Sequence, residues 1–141
     1  MDLRFDKVKV HNVNLPNEPL SNFQILEAVN YLKIPNFRGV FLRDELPSKP
    51  KKKECGILNL ADDPPGTHWV AWFKNQENKI YFDSFGIQPP LEIIDYLRDN
   101  VYYSTDKIQP NTSVLCGHLC LYVLKELSKG TPLKIITQIF L

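Results

Sequence analysis

Apolar residues recur at the spacing of a helix face in two stretches of the chain. The first stretch begins after Ser21, a good N-cap residue, covers about 22–33 and ends before Pro35. The second covers about 116–127 and ends before Gly130. The predicted apolar positions are Phe23, Leu26, Ala28, Val29 and Leu32 in the first helix and Leu119, Cys120, Val123, Leu124 and Leu127 in the second.

Shorter apolar runs between these helices predict strands. Residues 55–60 (CGILNL) are typical of a buried strand. Residues 68–73 (HWVAWF) and 80–82 (IYF) flank a polar stretch at 74–79, which predicts a hairpin. The mixture of strands and helices predicts an α+β fold with a small mixed sheet flanked by helices.

Proline, glycine and polar residues divide the rest of the chain. The predicted segments are an extended N-terminal arm at 1–20, a loop with some strand character at 37–46, an exposed basic loop at 47–53, short helices at about 90–98 and 133–140, and an irregular segment at 100–113. We expect a single domain over residues 1–141.

Composition narrows the class of protein. The chain has 141 residues, of which 43% are hydrophobic, and its net charge of +1 gives no strong attraction to nucleic acid or membrane. No apolar run approaches the roughly 20 residues of a bilayer span, and the N-terminal sequence lacks the apolar core of a signal peptide. The three cysteines are an odd number that does not suit a disulfide framework, which favours a reducing compartment. We therefore expect an intracellular protein that is not secreted.

The residue order suits a nucleophilic thiol. Cys116 lies at the predicted start of a helix, where the macrodipole lowers the pKa of a thiol, and Gly117 leaves room for a substrate carbonyl. His68 and Asp83 lie at neighbouring strand ends of one hairpin, where a carboxylate can orient the imidazole that takes the thiol proton. The amide of Gln109, across a short polar loop from Cys116, can stabilise an oxyanion.

The other cysteines and histidines have structural explanations. Cys55 and Cys120 are expected to be buried core residues, the usual state of a free cysteine. His118 is the rival base, but two residues along a helix it faces away from Cys116. His11 is expected to be exposed.

The acid, the amide and the neighbouring tryptophan have alternatives too. Asp83 can cap a turn together with Ser84, Gln109 can be ordinary loop polarity, and Trp69 can either wall the site or fill the core. Further polar candidates are the rival acids Asp62, Asp63 and Asp106, and Asn111, which can brace its loop through backbone hydrogen bonds.

With these residues placed, the chain resembles the adenain-type cysteine proteases, which are the adenovirus maturation protease and its relatives in polinton (maverick) elements and related viruses. The resemblance covers about residues 21–128. The matching pieces are IPNFRGVFLRDELP (34–47), CGILNL (55–60), GTHWVAWF (66–73), YFDSFG (81–86) and QPNTSVLCGHLCLYVL (109–124). Most specific are G-x-H-W, the downstream acid with Phe-Gly, and Q-x6-C-G, in this order.

The resemblance implies a papain-like site with the permuted chain order His, acid, Cys. The implied roles are His68 as general base, Asp83 as the group that orients it, Cys116 as nucleophile, Gln109 with Cys116 and Gly117 in the oxyanion hole, and Trp69 and Gly66 as substrate-binding residues. The adenovirus enzymes have Glu where this chain has Asp83. That departure resembles polinton-type sequences and the SUMO/ubiquitin-like protease relatives.

The resemblance also implies a substrate and a setting. We expect an endopeptidase that cleaves capsid or scaffold precursor polyproteins through an acyl-enzyme and needs no cofactor or metal. Two alternatives stay open: an isopeptidase acting on a ubiquitin-like or SUMO-type modifier, and a non-catalytic binding module of the same fold. A monomer in the host nucleus or cytoplasm and in the virion is expected.

The basic loop raises a separate hypothesis. Its lysines, Lys49, Lys51, Lys52 and Lys53, are first interpreted as a solvated surface. Adenovirus proteases are stimulated by DNA and by a short peptide, so activation by either is a sharper hypothesis. In that case the four lysines make a weak nucleic-acid contact.

Overall fold

The computed structural model describes residues 7–60, 68–110 and 113–141. Within them lie β1 (Lys7–Val10), β2 (Val13–Pro16), α1 (Asn22–Leu32), β3 (Phe37–Leu42), β4 (Lys53–Asn59), β5 (Trp69–Asn75), β6 (Asn78–Phe82), α2 (Leu91–Leu97), β7 (Val101–Tyr103), α3 (Cys116–Ser128) and α4 (Leu133–Gln138). Strands β1 and β2 pair with each other, and the other five form one mixed sheet. The α+β class expected from the sequence is confirmed.

The mixed sheet is built around the predicted hairpin. Its order is β3-β4-β5-β6-β7, with antiparallel pairing in the centre and parallel pairing at both edges. Only Gln76 and Glu77 separate β5 from β6, and Gln76 has the positive φ of +57° that such a tight turn requires. The turn fixes the register that sets Ala71 opposite Phe82. Residues just before β5 and just after β6 therefore lie at the same end of the sheet.

The sheet is covered on both faces. Because side chains alternate along a strand, Trp69 and Ala71 of β5 join the larger core with α1 and α3. Val70 and Trp72 join a second core with α2. Helix α3 lies against β5, so the helix that starts at Cys116 is supported by the strand that follows His68.

The N-terminal segment is a hairpin packed on this core. Strands β1 and β2 are antiparallel, and the larger core includes Val10 and Leu15, together with Leu20 beyond the hairpin. The His118 side chain of α3 donates from Nε2 to the carbonyl oxygen of Pro16 at 2.8 Å. The described part of the expected extended arm is therefore attached to α3.

Three local expectations differ from the structure. Residues 100–113 were expected to be irregular, but β7 pairs there with β6 in parallel, a long-range contact with no local pattern. The hairpin turn is shorter than 74–79. In α1 the buried face contains Ile25, while Phe23 and Leu26 are exposed. No helix in the described ranges is long and apolar enough to cross a bilayer.

Candidate active site

The central hairpin brings His68 and Asp83 together. His68 lies one residue before β5 and Asp83 one residue after β6, at the same end of the sheet. His68 Nε2 donates to Asp83 Oδ1 at 2.8 Å. The same oxygen accepts the backbone N–H of Phe85 at 2.8 Å, so the turn after β6 holds the carboxylate in place. This is the pairing that the sequence predicted.

Cys116 joins this pair from α3. It is the first residue of the helix, where the macrodipole favours a negative charge. Its side chain is hydrogen-bonded to that of His68, and its sulfur accepts the backbone N–H of Trp69 at 3.4 Å. Because His68 Nε2 is engaged by Asp83, the other ring nitrogen, Nδ1, is left for the thiol. The two side chains are therefore within proton-transfer reach.

The surroundings of His68 favour its protonated form. Burial alone lowers the pKa of the imidazole, but the hydrogen bonds and charges of Asp83 and Cys116 oppose it and raise the pKa to about 9. The ring is therefore charged at neutral pH. An imidazolium in this position is the partner that a thiolate nucleophile requires.

Phe85 covers one face of the His68 ring. The two rings are stacked, with centroids 4.6 Å apart and an angle of 16° between their planes. The ammonium of Lys107 lies 6.0 Å from the centroid of the Phe85 ring. The stacked aromatic ring limits the access of water to the His68–Asp83 hydrogen bond.

Gly117 allows close packing behind the thiol. A Cβ at this position would lie 3.1 Å from Trp69 Cδ1 and 3.2 Å from Leu20 Cδ1. A groove of about 410 Å³ extends from Trp69 and Leu20 to Phe41 and Glu45. The groove therefore lies beside Trp69, whose backbone N–H contacts the Cys116 sulfur.

Gln109 is buried and held at both ends of its carboxamide. Its Oε1 accepts the hydroxyl of Ser84, and its Nε2 donates to the carbonyl oxygen of Ser113 at 3.0 Å. Ser84 follows Asp83 in the turn, and Ser113 lies three residues before Cys116. The amide is thus bonded both to the turn that holds the acid and to the loop that leads to the nucleophile.

The remaining cysteines lie in the core. All three cysteines are free thiols. Burial, followed by the charge of Glu54, raises the pKa of Cys55 to about 12, and burial raises the pKa of Cys120 as well. Cys120 donates to the carbonyl oxygen of Trp69 at 3.4 Å. Both residues have the environment expected of inert core cysteines.

The rival histidine and acids have other partners or lie outside the described ranges. His118 is bonded to Pro16, and burial lowers its pKa. Asp106 accepts the hydroxyl of Thr137 at 3.3 Å. Outside the described residues lie Gly66, predicted to bind substrate, together with Asp62, Asp63 and Asn111.

Sequence reasoning missed three neighbours of the site. The sequence pattern indicates Ser84 only as a partner in a turn cap and indicates no role for Phe85 or Leu20. The adjacency of Ser84 and Phe85 to a candidate acid was an available signal. The contact of Leu20 with the site depends on packing between distant segments, which no local pattern reveals.

The described residues contain no candidate metal site. Within residues 7–60, 68–110 and 113–141, no group of three or more His, Cys, Asp or Glu side chains is placed to hold a metal ion.

The chain is similar to viral proteases. The "Protease" of bovine adenovirus 2 is 32% identical over 92 residues, covering 52% of this chain and 45% of that relative. Two crystal structures of the ASFV pS273R protease, one of Se-Met protein, have TM-scores of 0.58 and 0.60 at 16% identity. They cover 86% of this chain and 61% and 62% of the ASFV chain. No protein-family model matches the chain.

These similarities differ in what they show. The chain spans less than half the length of the adenovirus relative and about three fifths of the ASFV protease. The structural likeness shows the fold, and the adenovirus relative confirms the resemblance inferred from the sequence motifs.

Proposed function

We propose that this chain is a cysteine endopeptidase in which Cys116 is the nucleophile, His68 the general base and Asp83 the group that orients His68. One observation carries the proposal. The thiol at the first residue of α3 is hydrogen-bonded to a partly buried imidazole, and that imidazole is fixed by a carboxylate at 2.8 Å. This is the arrangement that activates a thiol for acyl transfer.

The first half of the reaction forms an acyl-enzyme. The thiol proton of Cys116 already resides on His68, and the thiolate sulfur forms a bond to the substrate carbonyl carbon. Gln109 and the backbone N–H groups of Cys116 and Gly117 at the start of α3 hold the oxyanion. The C–N bond then breaks, and His68 gives its proton to the departing amine.

The second half releases the product. Water gives a proton to His68 and attacks the thioester carbon. The C–S bond breaks, a carboxylic acid leaves, and the thiolate and imidazolium are restored. Asp83 holds the ring in the orientation that serves both halves.

The groove beside Trp69 is the proposed path of the polypeptide substrate. Its walls include the apolar side chains of Leu20, Phe41 and Trp69, and the charged Glu45 lies further along. An apolar cleft with a few polar groups is the usual form of a binding site. Gly66, which precedes His68 by two residues, remains a predicted contact.

The substrate class and setting are finer parts of the proposal. The similar proteins are named as viral proteases, which supports cleavage of capsid or precursor polyproteins of a virus or mobile element over removal of a ubiquitin-like modifier. A single-domain monomer acting in the host nucleus or cytoplasm and in the virion fits this role. A polinton origin remains a prediction from the motifs.

Activation by DNA or by a short peptide also remains a prediction. The side chains of Lys51, Lys52 and Lys53 are exposed, and Lys49 is exposed nearby. The backbone of this loop is held, because the carbonyl oxygens of Lys51 and Lys52 accept the ammonium of Lys74 at 3.0 and 3.5 Å. Four cations on a held loop can contact a few phosphates.

Labelling and cleavage test the endopeptidase proposal together. We expect a vinyl sulfone to label Cys116 selectively, and a fluorogenic peptide library to reveal cleavage sites. Both activities should be lost in His68→Ala and retained in the matched variant His11→Ala. Labelling at the rate of free cysteine, unchanged in His68→Ala and without cleavage, would contradict the proposal and favour a binding module.

The same library decides the substrate class and the activator. Cleavage restricted to diglycine tails of ubiquitin-like modifiers would overturn the precursor assignment. Duplex DNA at low salt is expected to raise the cleavage rate, and the triple variant Lys51→Gln, Lys52→Gln, Lys53→Gln should reduce that response. An unchanged rate with DNA would remove the nucleic-acid hypothesis.

A further inference from the structure

Ser84 links the two halves of the site. It is fully buried between Asp83 and Phe85, and its backbone carbonyl accepts the N–H groups of Ile108 and Gln109 at 2.9 and 3.2 Å. Its hydroxyl donates to Oε1 of Gln109. One residue therefore binds the segment that carries the predicted oxyanion donor through both its backbone and its side chain.

The orientation of the Gln109 carboxamide decides whether it can serve an oxyanion. One end of the group only accepts hydrogen bonds and the other only donates. Ser113 offers a carbonyl oxygen, which accepts only, so it selects the orientation with Nε2 toward it, at 3.0 Å. The Ser84 hydroxyl donates to the opposite end. Nε2 carries two N–H groups, and the Ser113 bond uses one.

We propose that Ser84 is a positioning residue of the reaction, whose hydroxyl fixes the carboxamide of Gln109 so that it presents N–H, and not oxygen, to the oxyanion. The inference rests on the proposed function and extends it to a residue that does not touch substrate. Without the hydroxyl, Oε1 has lost a donor and the carboxamide can rotate. Part of the population then turns its oxygen toward the developing negative charge.

Two reactions of the same thiol separate this role from a purely structural one. Alkylation of Cys116 by iodoacetamide forms a C–S bond and expels iodide, with no oxyanion at any stage. Acylation by p-nitrophenyl acetate passes through a tetrahedral oxyanion before p-nitrophenolate leaves. Both reactions need the thiolate and His68, but only acylation needs Gln109.

The test compares Ser84→Ala with Ser128→Ala, a matched variant whose hydroxyl donates to the Lys125 carbonyl near the far end of α3. We expect Ser84→Ala to slow acylation about tenfold, the effect of one lost hydrogen bond on orientation. Alkylation should change by less than about twofold and keep its pH dependence, because the His68–Cys116 pair is intact. Ser128→Ala should change neither rate.

A double-mutant cycle with Gln109→Ala shows whether Ser84 acts through the amide. Gln109→Ala should slow acylation by about 10²-fold, and Ser84→Ala should add nothing in that background. Additive losses, or equal losses of alkylation and acylation in Ser84→Ala, would overturn the inference and leave Ser84 a structural residue.

The outcomes also separate the two levels of the proposal. If acetyl transfer to Cys116 cannot be detected in the wild-type chain by mass spectrometry, the proposed function fails and the role of Ser84 fails with it. If wild-type Cys116 is acylated and Ser84→Ala is acylated at the same rate, the role of Ser84 fails alone.

Discussion

Glu54 and Asp83 are both buried carboxylates next to the central hairpin, and their partners differ. Glu54 Oε1 accepts Arg38 Nη1 at 3.0 Å, and its Oε2 accepts Trp72 Nε1 at 2.8 Å and the Tyr96 hydroxyl at 2.7 Å. Both oxygens are occupied, and the side chain is 0% exposed. These contacts join β3, β4, β5 and α2.

None of the three side-chain donors to Glu54 acts as an acid near neutral pH. Arginine stays charged, and the indole N–H does not titrate. Burial, followed by the hydrogen bond to Glu54, raises the pKa of Tyr96. The cluster therefore holds elements together and has no route to proton transfer.

Asp83 is equally buried, but its main partner titrates. His68 is 17% exposed, has a raised pKa and is bonded to a thiol. The comparison indicates what separates a carboxylate of the scaffold from one proposed to serve a reaction. The partner of the second can gain and lose a proton, and that partner is bonded to a thiol. Five variants or conditions test it, from the largest expected effect to the smallest.

Replacing Cys116 removes the proposed nucleophile. We expect Cys116→Ala to lower kcat by roughly 10⁴ to 10⁶, as for loss of the nucleophile in other enzymes with such sites. The melting temperature should stay close to that of the wild type. The matched variant Cys120→Ala should keep activity and lose stability, because Cys120 is a core residue. Peptide turnover and calorimetry check both, and retained turnover in Cys116→Ala would reject the nucleophile assignment.

Replacing Asp83 tests the carboxylate proposed to orient His68. Asp83→Asn removes the charge that holds the His68 imidazolium, so kcat/KM should fall roughly 10³- to 10⁴-fold. The two side chains are nearly equal in volume, so the fold should remain. Steady-state kinetics together with a circular dichroism spectrum provide the measurement. A loss below tenfold would show that Asp83 belongs with the scaffold carboxylates.

Replacing Glu54 should give the opposite result. Glu54→Gln leaves Arg38 without its carboxylate and cannot satisfy every donor, so the free energy of unfolding should fall by about 3 kcal/mol. Turnover per folded molecule should stay near the wild-type value. Urea unfolding and active-site titration measure these two quantities. Lost turnover in a fully folded Glu54→Gln protein would contradict the division between the two carboxylates.

The pH dependence of stability follows from the raised pKa of His68. A group whose pKa rises from 6.5 unfolded to about 9 folded stabilises the protein fully below pH 6.5 and loses that effect as pH rises through 9. The difference in unfolding free energy between wild type and His68→Gln should therefore shrink by about 3 kcal/mol over this range. kcat/KM should fall above about pH 9, and a pH-independent difference would contradict the charged pair.

Replacing Phe85 should have the smallest effect. Phe85→Leu removes the stacking on His68 and admits water to the His68–Asp83 bond, which should lower kcat/KM by about three- to tenfold. Phe140→Leu is the control, because the aromatic partner of Phe140 is Tyr122 and not His68. Equal kinetics for both variants would remove Phe85 from the site.

The parts of this comparison that are local in sequence could be predicted. His68 and Asp83 flank a short hairpin, so the antiparallel register alone brings them together. Cys116 begins an apolar helical stripe, and the helix was predicted within a residue of its observed bounds.

The parts that depend on distant segments could not. Glu54 falls between a basic loop and an apolar strand, and its partners come from β3, β5 and α2, so no local pattern predicts its burial. Strand β7 has three residues and pairs in parallel with β6, so neither length nor alternation marks it. In α1, Phe23 and Ile25 are both apolar, and only packing against the sheet selects Ile25. The hydrogen bond from Ser84 to Gln109 likewise joins residues 25 positions apart.

The fluorescence of the two tryptophans reports separately on the surroundings of Cys116 and on those of Glu54. They lie three residues apart on β5 but on opposite faces, with the Trp69 backbone N–H reaching the Cys116 sulfur and the Trp72 indole bonded to Glu54. In Trp72→Phe, intrinsic fluorescence comes from Trp69 alone and should respond when the thiol is acylated. In Trp69→Phe, the remaining emission should stay constant during acylation and change when the protein melts. The chain thus carries one built-in fluorophore for occupancy and one for unfolding, with no attached dye.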